Sequence, residues 1–145
     1  MQISAKGEYA IRAVLDLALQ RERGLTPIQE IAARQGIPQR YLEQVLLALK
    51  RAGLLGSKRG STGGYHLTRA PEEITVGDVL RAVEGTSAPF SAQRRGGRNG
   101  GGGDLAELWE EVSQAVSRVV DRLTFGALAA RALERRSAAR PMYHI

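Results

Sequence analysis

Residues 58–64 read KRGSTGG, and no other run limits the possible folds of this 145-residue chain as strongly. Three glycines in seven residues oppose a helix, because each costs about 1 kcal/mol relative to alanine in a helix interior. Leu54, Leu55 and Ser57 precede the run, and Tyr65, His66, Leu67 and Thr68 follow it. Two short β-prone segments around a glycine-rich turn read as a β-hairpin. The rest of the chain reads as helix or loop, so the expected class is mainly α with one small hairpin.

Upstream, Ile11, Val14, Leu15 and Ala18 repeat at helical spacing between Ser4 and Gln20, with Ser4 as the expected N-cap. Thr26-Pro27-Ile28-Gln29 reads as a second start: Thr26 as N-cap, Pro27 at N1, and Gln29 completing a capping box. This short helix carries Ile31 and Ala32 and stops near Gly36. Pro38 is expected in the first turn of a third helix. Its buried stripe is Tyr41, Leu42, Val45, Leu46 and Leu49, and it ends at Ala52-Gly53. After the hairpin, Thr75 or Gly77 begins a small helix with Val76, Val79, Leu80 and Val83.

Residues 86–103 read as a flexible loop, since six of the last eight are glycine. Asp104 with Glu107 marks a fifth helix start. Its apolar stripe runs through Leu105, Leu108, Trp109, Val112, Ala115, Val116, Val119, Val120 and Leu123 at heptad-like spacing. Thr124 is expected to cap a last helix to about Arg136, before the tail SAARPMYHI.

Three short helices followed by a glycine-tipped hairpin describe a winged helix-turn-helix. Gly36 supplies the turn between the second and third helices. A helix of this kind fits the major groove, where every base pair shows a distinct pattern of donors and acceptors. The charge agrees: the chain is +6 overall, and residues 38–69 hold six Lys/Arg against one Glu. The expected DNA-contact set is Ser4 and Lys6 at the N-terminus, Pro38, Gln39, Arg40, Tyr41, Glu43, Gln44 and Lys50 on the third helix, and Lys58, Arg59, Gly60, Ser61, Thr62, Gly63, Gly64 and Tyr65 in the wing. The fifth-helix stripe, with Leu105, Leu108, Trp109, Val112, Val116, Val119 and Leu123, is the expected homodimer interface. Two-fold symmetry matches a palindromic operator. The expected organisation is a DNA-binding domain at 1–85, a loop at 86–103, dimerisation helices at 104–136 and a tail at 137–145.

The sequence excludes several chemistries. Without cysteine there is no disulfide, thiolate zinc site or cysteine-held cluster. His66 and His144 are the only histidines, and no nucleophile–base pair or phosphate loop appears, so an enzyme is not expected and no cofactor is assigned. The N-terminus lacks the apolar region of a secretion signal, and no run reaches the roughly 18 apolar residues that span a bilayer. A cytoplasmic protein without membrane contact is the expectation.

Residues 6–18 (KGEYAIRAVLDLA), 37–67 (IPQRYLEQVLLALKRAGLLGSKRGSTGGYHL) and 74–85 (ITVGDVLRAVEG) resemble the Rrf2 family of bacterial transcription regulators. The resemblance implies a homodimer with the fifth helix crossed between subunits, and DNA contacts from the third helix and from Arg59. Cluster-binding members carry three cysteines before the fifth helix, where this chain reads SAQRRGGRNGGGGDL. Glu8 stands where some members place an acidic ligand, and one carboxylate cannot hold a cluster alone. Without cysteines, with VEGTSAP and with the ending Met142-Tyr143-His144-Ile145, the chain resembles the cysteine-free branch that represses cysteine metabolism. That resemblance implies control by a partner enzyme, O-acetylserine sulfhydrylase, which would capture the Ile145 carboxylate. A small-molecule effector in the dimer cleft, and a tail that mainly regulates an enzyme, are the alternatives.

Overall fold

A computed structural model describes residues 3–85 and 102–139. Helix α1 (Ala5–Leu19) starts where Ser4 Oγ accepts the Gly7 N–H at 3.0 Å. Its core face is set by Ala10, Ala13, Val14, Leu17 and Ala18, while Ile11 and Leu15 are only half-buried. The small residues Ala10 and Ala13 belong to the face that packs against its neighbours, which shifts the buried stripe from the one the larger residues outline. A 3-10 turn at Arg21–Arg23 leads to α2 (Ile28–Gln35), and Gly36, at φ 65°, turns the chain into α3 (Gln39–Arg51).

The hairpin pairs β1 (Leu55–Lys58) with β2 (Gly64–Leu67) antiparallel, Leu55 opposite Leu67 and Lys58 opposite Gly64. After a 3-10 turn at Pro71–Glu73, α4 (Val76–Glu84) begins with a complete capping box. Asp78 N–H donates to Thr75 Oγ1, and Thr75 N–H donates to Asp78 Oδ2, both at 3.0 Å. Helices α5 (Gly102–Arg122) and α6 (Phe125–Ala139) complete the fold. The described residues thus show six α-helices and one two-stranded sheet, the mainly helical winged class expected. No described helix is long and apolar enough to cross a membrane.

One core serves all the elements. Val14, Ile31, Leu42, Leu46, Leu49, Leu80 and Phe125 are almost wholly removed from solvent. Asp16 is buried on α1 but not alone: Arg34 grips both carboxylate oxygens, at 2.8 and 3.0 Å, and Gln35 adds a bond at 3.2 Å. The hydrogen bond to Asp16 raises the Arg34 pKa above its ordinary value. This pair ties the end of α2, just before the turn at Gly36, to α1.

A second lock joins the long helix to the rest. Thr75 and Thr124 form an isolated antiparallel bridge, Val76 N–H donates to Leu123 O at 2.8 Å, and Phe125 N–H donates to Ile74 O at 2.9 Å. Arg81 donates to Asp121 Oδ1 at 2.7 Å beside it.

Four local expectations are corrected. Thr26 is not an N-cap, because its backbone is engaged by Tyr65 in β2, and Pro27 takes the cap position without a side-chain bond. Pro38 is likewise the N-cap residue of α3, at ψ 129°, rather than part of its first turn. Helix α5 begins at Gly102, so the last two glycines assigned to the loop are helical. Helix α6 runs to Ala139, because Ser137, Ala138 and Ala139 continue it past Arg136.

Candidate nucleic-acid interface

Helix α3 is sharply two-sided. Leu42, Val45, Leu46 and Leu49 are buried, and at 3.6 residues per turn the opposite ridge runs through Arg40, Gln44, Leu47 and Arg51. Gln39, Glu43 and Lys50 flank that ridge, and all seven side chains are exposed. Tyr41, expected in the buried stripe, is 48 % exposed with the Arg40 guanidinium 5.7 Å from its ring centre. The correction follows from geometry: residue 41 falls at the edge of the buried arc, where a phenol keeps its hydroxyl in water.

The wing is held to the entry of α2 by main-chain pairing. Thr26 N–H donates to Tyr65 O at 2.9 Å, and Tyr65 N–H donates to Thr26 O at 2.8 Å. The entry to α2 therefore acts as a third strand beside β2. Gly64 is required there, since a Cβ would lie 2.5 Å from the Thr26 carbonyl carbon and oxygen. Lys58, Arg59, Gly60, Ser61 and Thr62 are exposed at the tip, while Gly63 is buried and Gly64 and Tyr65 are half-buried. Lys50 Nζ donates to Ser57 Oγ at 2.7 Å, tying α3 to the base of the wing.

Between wing and helix lies an open cleft of about 540 Å³, lined by Pro27, Gln29, Lys50, Ser57, Lys58 and Arg59 among others. No side chain caps the first turn of α2 at its edge. Uncapped N–H groups with cations nearby favour an anionic oxygen. Pro27 and Gln29 were not among the sequence-derived contacts. The Pro at a helix start was the available signal, masked by the apparent Thr26 cap.

Ser4 and Lys6 lie at the α1 N-terminus. The Ser4 hydroxyl is occupied internally: it accepts from Gly7 N–H and donates to Glu84 Oε2 at 2.5 Å. Lys6 is exposed beside an apolar groove of about 350 Å³ shared with Tyr9, Tyr41, Gln44 and Val45.

The apolar stripe of α5 divides in two. Val116, Val120 and Leu123 pack against the protomer's own core. Leu105, Leu108, Trp109 and Val119 remain 40–47 % exposed, with Val112 half-buried between them. Met142, Tyr143, His144 and Ile145 lie outside the described residues, as do residues 86–101 of the glycine-rich loop.

The profile of the Rrf2 family, described as an iron-dependent transcriptional regulator, matches residues 3–131. The chain is 40 % identical over 129 residues to the HTH-type transcriptional regulator IscR of Aliivibrio salmonicida, covering 88 % of this chain and 77 % of that one. Among solved structures it is similar to CymR (YrzC), the global cysteine regulator of B. subtilis, at 34 % identity and TM-score 0.74, covering 90 % of this chain and 98 % of that one. IscR of T. potens gives 33 % identity and TM-score 0.76, covering 100 % and 97 %. These relatives are transcription regulators rather than enzymes. The iron in the family description finds no matching donor set here. The sequence has no cysteine, and among the described residues no group of three or more His, Cys, Asp or Glu side chains could hold a metal ion. With a winged helix, exposed Arg40, Lys50 and Arg51 on α3 and a profile match over most of its length, the chain belongs to the Rrf2 family of DNA-binding transcription regulators.

Proposed function

We propose that the chain is a homodimeric repressor that reads a palindromic operator with α3 and grips the flanking DNA with its wing. The observation that carries this reading is the shared orientation of two basic surfaces. Lys50, on the flank of the α3 ridge, borders one cleft with Lys58 and Arg59 of the wing and donates to Ser57 Oγ at 2.7 Å, while the Thr26–Tyr65 pairing holds the wing to the entry of α2. Gln39, Arg40, Glu43 and Gln44 present donors and acceptors suited to base edges. Lys50, Lys58 and the uncapped start of α2 suit phosphates, and Arg59 suits a narrow minor groove. Tyr41 is exposed beside Arg40 on α3, and Ser61, Thr62 and the wing glycines allow close approach to the backbone. Ser4 contributes by holding the α1 N-terminus, while Lys6 adds charge.

The exposed part of the α5 stripe supports dimerisation through Leu105, Leu108, Trp109, Val112 and Val119. Val116 and Leu123 support that helix from behind. The functional division is a reading head at 1–85 and a dimerisation unit at 102–139, joined through 86–101, with residues 140–145 as the segment that meets a partner. A cytoplasmic site of action follows from DNA as the target.

Binding of a selected duplex, followed by fluorescence anisotropy across a salt series, tests the reading. Specific affinity with a steep negative salt slope is expected. Equal affinity for all duplexes would refute sequence reading.

The finer assignment is repression of sulfur or cysteine genes under the control of O-acetylserine sulfhydrylase. It is supported by the likeness to a global cysteine regulator, the lack of cysteine and the ending Met142-Tyr143-His144-Ile145. In this reading the Ile145 carboxylate enters the enzyme's amino-acid carboxylate site, and O-acetylserine competes for it. Calorimetry with the enzyme of the same organism tests it. Deleting Ile145 should abolish binding, and failure of the full-length chain to bind would leave a small-molecule effector as the reading.

A further inference from the structure

Leu47 stands on the wrong side of α3 for a core residue. It is 46 % exposed and lies opposite the buried Leu42, Val45, Leu46 and Leu49. Its neighbours one turn away on the same helix are Glu43, Gln44, Lys50 and Arg51, all polar and all exposed. A single surface leucine elsewhere would need no explanation. This one sits in the middle of the ridge that the proposed function places in the major groove, three residues past Gln44 and seven past Arg40.

The major groove offers one apolar group to such a side chain, the C5-methyl of thymine. The flanking Arg40 and Arg51 supply attraction to the DNA, but a leucine cannot use it, so its contribution is contact with that methyl. We propose that Leu47 is a specificity-determining residue that packs on a thymine methyl in each half-site. Gln44 and Arg40 read hydrogen-bonding edges, and Leu47 reads the apolar feature that they cannot. This inference rests on the DNA-reading role given above to α3.

The effect expected for one buried methyl is about a fourfold change in affinity per half-site, or about fifteenfold for both halves of a palindrome. The test starts with the full-length chain and a random-sequence duplex library, from which the enriched duplex becomes the probe. Each thymine in it is then replaced in turn, symmetrically, by deoxyuridine, which keeps the hydrogen-bonding edges and lacks the methyl. For the parent chain, one symmetric pair of replacements should weaken binding about fifteenfold. Leu47→Ala should lose a similar factor on the thymine duplex and should no longer distinguish thymine from deoxyuridine at that pair. An exposed helical position accepts alanine readily, and an unchanged unfolding midpoint checks that the fold is kept.

If Leu47→Ala retains the full thymine preference, or binds the thymine duplex as tightly as the parent, the inference is overturned while DNA reading by α3 stands. A change in dimerisation by Leu47→Ala with the thymine preference intact assigns the leucine to a protein contact and also overturns it. If no duplex is enriched at all, the reading role of α3 falls, and the leucine's role falls with it.

Discussion

Replacing Gly64 by alanine isolates the contact that holds the wing to the helix-turn-helix. A Cβ at position 64 would lie 2.5 Å from the carbonyl carbon and oxygen of Thr26 and 2.9 Å from the nitrogen of Pro27. All three are main-chain atoms, so no side-chain rotation relieves the overlap. Relief requires β2 to move off Thr26, which breaks the two bonds of 2.9 and 2.8 Å between Thr26 and Tyr65. Two such bonds contribute about 1 kcal/mol each, and strain at φ 155° adds about 1 kcal/mol more, for a loss of about 3 kcal/mol. Gly60 is the internal control. Its φ is 111° but nothing lies within 4 Å of a Cβ there, so Gly60→Ala should cost only the strain, about 1 kcal/mol. For a chain of this size these losses lower the unfolding midpoint by about 12 °C and about 4 °C. Thermal and denaturant unfolding at one fixed protein concentration measure both, since the midpoint of any chain that self-associates depends on concentration. Gly64→Ala should also weaken operator binding more than Gly60→Ala, because it displaces the whole wing. Equal stability losses for the two variants would refute the conclusion that Thr26 pins the wing.

Phe125→Ala should cost about 3–5 kcal/mol in denaturant unfolding, since its side chain is fully buried at the start of α6; a loss under about 1 kcal/mol would detach α6 from the core. Arg59→Ala should weaken the selected duplex by about 1–3 kcal/mol and relax its sequence preference, whereas Lys58→Ala should weaken all duplexes alike and reduce the salt slope by about one. Leu108→Asp should give monomers by light scattering with poor operator binding, and a variant that stays dimeric would move the interface off α5. Anaerobic treatment with iron and sulfide should leave the protein colourless, since it has no thiolate, and a stoichiometric visible chromophore would contradict that.

Local chemistry made much of this fold legible. Ser4, Thr75 and Thr124 cap α1, α4 and α6 as their side chains and spacing require, and the glycine run closes the hairpin. What failed was decided by distant partners. Thr26 has the side chain of a cap, yet Tyr65, far along the chain, takes its backbone into a bridge. The face that α1 buries is set by small alanines. Of the α5 stripe, Val116 and Leu123 turn to the protomer's own core because of where α4 lies, which no periodicity of α5 reveals. Residue type and charge marked α3 and the wing as the candidate interface. Leu47 escaped because it reads as one more apolar residue among LLAL until the helix phase puts it on the polar side. The α2 start escaped because a threonine stood where a cap belongs.

The lock between α4 and the α5–α6 junction has a mechanical consequence. Thr75–Thr124 pairing, Phe125 and the Arg81–Asp121 bond make α5 a stiff arm growing from the reading head. Its 21 residues extend about 31 Å, close to the roughly 34 Å that separate successive major grooves on one face of DNA. In a dimer built on that arm, the spacing between the two reading heads is set by the angle at which two arms cross. A rotation of about 10° at a crossing near Val112, about 15 Å from the end of α5 that joins the head, moves that end by about 3 Å, nearly one base-pair step. A signal would not need to unfold or bend the reading head to release DNA; tilting the arms by about ten degrees puts the two heads out of step with the helical repeat.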